Sequence, residues 1–83
     1  MIEMVDDAAN NTVYVTFSRH WEVPYGKGLY LVGNTFDLGE WNLKNSKRLT
    51  HRNENIWFIT LRLPIDINLE YKYFMADYNK IDM

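Results

Sequence analysis

Apolar and polar residues alternate with a period of two along most of this 83-residue chain. A chain patterned that way has one half-buried face per segment and folds as strands rather than helices. In "TVYVTFS", Val13, Val15 and Phe17 alternate with Tyr14, Thr16 and Ser18. "GLYLVG" predicts a second strand. "IWFITLRLP" predicts a third, with Trp57, Ile59, Leu61 and Leu63 on one face and Phe58, Thr60 and Arg62 on the other. "NLEYKYFMA" predicts a fourth, with Leu69, Tyr71, Tyr73 and Met75 opposite Glu70, Lys72 and Phe74. "KRLTH" reads as a short extra strand. Turn residues cluster in "PYGKG", "GNTFDLGEWN", "HRNEN" and "PIDIN". No helical pattern exceeds one turn. Short strands joined by polar turns predict an all-β, antiparallel β-sandwich.

Length allows one small domain with a thin core. There is no cysteine, so neither a disulfide nor a thiolate metal site can brace it. Met1 to Asn11 carries Glu3, Asp6 and Asp7 and no basic residue, which is not a secretory leader, and it reads as an N-terminal tail. No apolar run approaches the roughly 20 residues of a membrane span. The expectation is a cytoplasmic protein that engages no membrane. Nine basic residues against eleven acidic give a net charge of −2, which disfavours nucleic acid. After Met75, "DYNK" reads as a turn and "IDM" as the start of a further strand. The domain is therefore expected to span 12–83 and to lack its last strand or strands, as part of a longer chain.

Aromatic residues make up 16% of the chain, and their positions are uneven. Trp41 stands between Glu40 and Asn42 in a loop of Asp, Gly and Asn, poor company for a core residue. Tyr25 occupies a turn, and Trp57 opens a strand directly after "HRNEN". These three are candidates for exposed flat surfaces. The CH-rich face of a sugar can pack on such a ring while its hydroxyls stay free for polar partners. Lys72, outward by strand alternation, can donate to those hydroxyls. On pattern alone Trp57 is equally readable as a core plug. Trp21 continues the Phe17 face and reads as packing; Tyr30 and Tyr71 read as structural.

"YGKGLYLVGNTFDLGEWN", then "IWFITLRLP", then "LEYKYF", resembles the starch-binding domains of carbohydrate-binding module family 20, from about Val13 to Tyr78. The four segments in this order are specific, where "LGEW" alone is not. The glycogen-binding modules of family 48 share the "YK" strand and a loop tryptophan. The resemblance implies an immunoglobulin-like sandwich with two α-glucan sites. Trp41 and Lys72 match two residues of one site, whose second tryptophan would fall beyond Met83. Tyr25 and Trp57 match the other. That second site also uses a loop tyrosine, where this chain has Thr50 or His51.

The resemblance implies a non-catalytic module that tethers a larger protein to starch, glycogen or maltooligosaccharides, without cofactor or metal. That larger protein would be an enzyme of glucan metabolism, a phosphodiesterase or a phosphatase. Catalysis by the domain itself would need a carboxylate pair such as Asp37 and Glu40 around a cleft, and so thin a sandwich leaves little room for one. His20 and His51 stand in no nucleophile, metal or phosphate-loop motif. A protein-interaction sandwich is the alternative from a different class, with the exposed aromatics as hot spots.

Overall fold

The computed structural model describes residues 2–7 and 11–77. Among the described residues, seven strands form two antiparallel sheets: β1 (Ile2–Asp7), β2 (Thr12–His20), β3 (Lys27–Gly33), β4 (Lys47–Arg48), β5 (Thr50–Arg52), β6 (Ile56–Pro64) and β7 (Tyr71–Asp77). One sheet has the order β1-β2-β6-β5 and the other β4-β3-β7. No α-helix occurs among the described residues, only single 3-10 turns in the loops.

The predicted strand phases hold. Val13, Val15 and Phe17 of β2 face inward with Trp57 and Leu63 of β6, and meet Leu29 and Leu31 from the opposite sheet. Ile59, Leu61, Tyr71 and Tyr73 pack against this core from partly exposed positions. Each large apolar side chain removed from water there contributes about 1.5–3 kcal/mol. β3 is the central strand of its sheet and is buried on both faces. Its outward Tyr30 stacks on Phe74 of β7, with ring centroids 5.4 Å apart. Phe17 and Tyr71 meet edge to face across the sheets at 5.1 Å, a geometry that aromatic quadrupoles favour.

Two expectations change. Residues 2–7, expected within a tail, form a strand paired antiparallel along β2 from Ile2↔Phe17 to Asp7↔Thr12. Three acidic residues hide a strand whose pairing comes from the backbone. The single strand expected over "KRLTH" is two strands in different sheets: β4 pairs with β3, and β5 with β6. Leu49 is the switch. It is buried, and its N–H donates to the Leu29 carbonyl at 2.9 Å. The turn expected to begin at Asp77 does not begin there, since Asp77 ends β7; the rest of that turn and the part-strand after it lie outside the described residues.

Candidate functional site

The loop from Gly33 to Ser46 is held by internal bonds and by a buried anchor. Thr35 caps a 3-10 turn over Phe36–Leu38, its hydroxyl accepting from the Leu38 N–H at 3.2 Å. Leu38 points into the core and is fully buried. Asn34 ties the loop to the segment before β7. Its amide donates to the Asn68 carbonyl at 2.6 Å, and its side-chain oxygen accepts from the Glu70 N–H at 2.9 Å. Gly39 closes the turn with φ +85°; a Cβ there would stand 2.7 Å from the Asn45 carbonyl oxygen. Gly33 likewise leaves no room, because a Cβ would collide with the Glu70 carbonyl oxygen and with Leu38.

This bracing carries Trp41. Glu40 and Trp41 both adopt left-handed backbone, with φ of 49° and 64°. Side chains with a Cβ rarely enter that region, since it costs about 1–2 kcal/mol per residue. The Trp41 N–H donates to the Gly33 carbonyl at 2.8 Å, which pins the strained residue to the end of β3. Trp41 is left 46% exposed. It lines an open, largely apolar surface with Leu43, Val32, Lys72 and Phe74. The β3–β7 register sets Lys72 opposite Val32, and its side chain is exposed. Trp41 and Lys72, 31 positions apart in the sequence, are thus brought to one surface. Tyr73 lines the same surface from the core side. Burial, with a contribution from Tyr71, raises its hydroxyl pKa above the usual value, while Arg19 opposes the shift.

A second surface forms at the turn between β2 and β3. Tyr25 projects from it fully exposed, on a turn closed by the Lys27 N–H donating to the Pro24 carbonyl and by Gly26 at φ +88°. Tyr25, His51, Asn55 and Trp57 line one depression there. Trp57 departs from the expected exposed platform: it is only 5% exposed. It shares the inward face of β6 with Leu63, and its indole N–H donates to the Trp21 carbonyl at 3.0 Å. Its cross-strand partner is His51, whose imidazole lies 4.7 Å from the Trp57 ring at an interplanar angle of 46°. Between the two residues expected near the family's loop tyrosine, His51 joins this surface, while Thr50 pairs with Phe58 on the other face of the sheet. Trp21 is half-buried against the core, as packing predicts.

The pattern model of the starch binding domain matches residues 12–82. The chain belongs to the starch-binding domain family. It is 32% identical over 66 residues to glucoamylase-1 of Schizophyllum commune, a match covering 80% of this chain and 12% of that protein. It is 33% identical over 70 residues to the cyclomaltodextrin glucanotransferase of Klebsiella oxytoca, covering 81% of this chain and 10% of that one. The thermophilic beta-amylase of Thermoanaerobacterium thermosulfurigenes is 33% identical over 79 residues, 93% of this chain and 14% of its own length. Among solved structures, γ-CGTase from an alkalophilic Bacillus clarkii superposes with a TM-score of 0.71 at 29% identity, over 77% of this chain and 10% of that one. The chain thus corresponds to a small share of each relative. The family is one of non-catalytic binding modules, and starch and related α-glucans are its ligands. Sequence reasoning missed Leu43, the apolar neighbour of Trp41, and Asn34, which braces the loop. The Asn after a strand-ending Gly was the available signal for the second.

Proposed function

We propose that this domain holds α-glucan chains by stacking sugar rings on Trp41, with Lys72 donating to their hydroxyls, and that Tyr25 provides a second contact. The observation that carries this reading is the half-exposed Trp41 ring, held in strained backbone by a braced loop beside a free ammonium. Trp41 stands outside the core cluster, so its strained conformation is best explained by what it presents. A flat apolar ring flanked by donors suits the alternating CH and OH surfaces of a glucose polymer. Glycogen and maltooligosaccharides present the same surfaces as starch. In the longer protein, such a domain raises the concentration of polysaccharide around its neighbour. The names of the relatives, a glucoamylase, a glucanotransferase and a beta-amylase, support a neighbour that acts on α-glucans.

Retardation in an amylose-containing native gel tests the reading. Trp41→Ala is expected to migrate close to its mobility without amylose while keeping a native circular-dichroism spectrum. Undiminished retardation of the folded variant would refute the platform role.

A further inference from the structure

A single exposed apolar ring is ordinary on a protein surface, but the setting of Phe36 is not. It is 84% exposed and belongs to the same braced loop as Trp41, yet it lines a depression of its own. That depression, ≈ 380 Å³, falls within the range of small-ligand sites. Glu40, Asn45, Ser46 and Lys47 line it beside the ring. We propose that Phe36 and these polar neighbours form a further α-glucan subsite, which takes the part of a longer chain that runs on from Trp41. The subsite rests on the stacking of sugar at Trp41.

The composition suits a sugar. The Phe36 ring offers a flat face to its CH groups. The Glu40 carboxylate accepts from hydroxyls, the Lys47 ammonium donates to them, and the Asn45 amide does both. Glu40 and Asn45 are exposed, so a ligand meets them without displacing packed side chains. The walls are tied together by the turns of the loop. The Phe36 carbonyl accepts from the Gly39 N–H at 3.1 Å, the Gly39 carbonyl from the Asn42 N–H at 2.9 Å, and the Asn42 carbonyl from the Asn45 N–H at 2.9 Å. A site held in advance loses little freedom when a ligand arrives. The depression shares no residue with the Trp41 surface, but Glu40 lines the one and Trp41, next in the chain, lines the other. A short sugar on Trp41 therefore leaves Phe36 uncovered, and a longer chain continues onto it. The ligand class is a linear α-glucan longer than a trisaccharide.

The test compares maltotriose with maltoheptaose on the full chain carrying Tyr25→Ala, which removes binding at the other surface. Phe36→Ala is expected to weaken maltoheptaose binding by about fivefold or more, the lower end of what one stacked ring supplies. The loss with maltotriose is expected to be far smaller, and Phe36→Tyr is expected to keep the affinity for the longer sugar. In the unmodified chain, the Phe36 ring-proton signals are expected to shift with maltoheptaose and to stay in place with maltotriose. Those of Phe74, on the Trp41 surface, are expected to shift with both. Phe58, paired with Ser18 and Thr50 in the other sheet, is the control. That measurement needs no variant and stands if one fails to fold. Unchanged maltoheptaose binding in Phe36→Ala, with unmoved Phe36 signals, would overturn the subsite and leave the Trp41 platform standing. Equal losses with both sugars would make Phe36 a support of the Trp41 loop, and would overturn the subsite as well. If Trp41→Ala weakens neither sugar, the Trp41 platform falls, and the Phe36 subsite with it.

Discussion

Two tryptophans of this domain stand at the edges of the same kind of surface, and the structure treats them in opposite ways. Trp41 is pushed out by its backbone: two consecutive residues in left-handed conformation, pinned by Gly33 and Gly39, leave it 46% exposed. Trp57 is drawn in by strand phase, 5% exposed, and another ring lies over it. Residue type therefore says little about role. What separates a platform from a plug is whether the backbone beneath the ring follows the sheet or breaks from it. The loop at Trp41 breaks from β3 at Gly33, whereas Trp57 lies within β6 and inherits the inward face of its neighbours two residues on.

The largest expected effect follows directly. Trp57→Ala empties a core position and orphans the Trp21 carbonyl, a change that costs about 3–5 kcal/mol. Against the roughly 5–15 kcal/mol of a typical domain this is severe. Trp41→Ala is expected to lose no more than about half as much, since nearly half of the residue is already in water. Urea denaturation of both variants checks the contrast. Equal losses would show that the Trp41 ring belongs to the core, as the Trp57 ring does.

The backbone half of the comparison is tested at Gly39. A Cβ there meets the Asn45 carbonyl at 2.7 Å, in a conformation that side chains avoid. Gly39→Ala is expected to cost about 1–2 kcal/mol or more in stability. It is also expected to weaken amylose retention, because the turn that presents Trp41 must shift. Binding at Tyr25 should be untouched, since none of the bracing bonds of the Gly39 loop reaches the turn before β3. A variant that loses stability and retains full binding would mean that Trp41 does not depend on the turn for its position.

Most of the fold could be read from the alternation. The phases of β2, β6 and β7 follow from which residues are apolar at every second position, and the buried run of β3 follows from its unbroken apolar stretch. β1 could not be read, because Glu3, Asp6 and Asp7 break the apolar rhythm and its ladder is made by backbone groups that carry no sequence signature. The split of "KRLTH" was equally hidden. Leu49 marks it, but one leucine between basic and polar residues does not say that the chain changes sheets. At the site, loop composition pointed to Trp41 and strand alternation to Lys72. Trp57 carried two signals, a polar stretch before it and an inward phase with Ile59, Leu61 and Leu63. The phase was the better guide. The same rule of alternation that placed Lys72 outside would have placed Trp57 inside.

The smallest expected effect concerns the polar half of the Trp41 surface. Lys72 is exposed and sits opposite Val32 on the outer face of the β3–β7 pair, so no core contact depends on it. A hydrogen bond from a side chain to a neutral hydroxyl contributes about 0.5–1.5 kcal/mol, and up to about 3 kcal/mol when the donor is charged. Lys72→Ala is therefore expected to lower β-cyclodextrin affinity several-fold, by less than Trp41→Ala, with no change in the thermal melt. The ammonium's charge should matter little in itself. A neutral glucan carries no condensed counterions to release, so affinity is expected to stay flat as salt rises, unlike binding to a polyanion. A steep salt dependence would point to an anionic ligand, with Lys72 as a charge rather than a donor. Unfolding of Lys72→Ala would put the ammonium stem into the packing, and the outward phase assigned to β7 would be wrong.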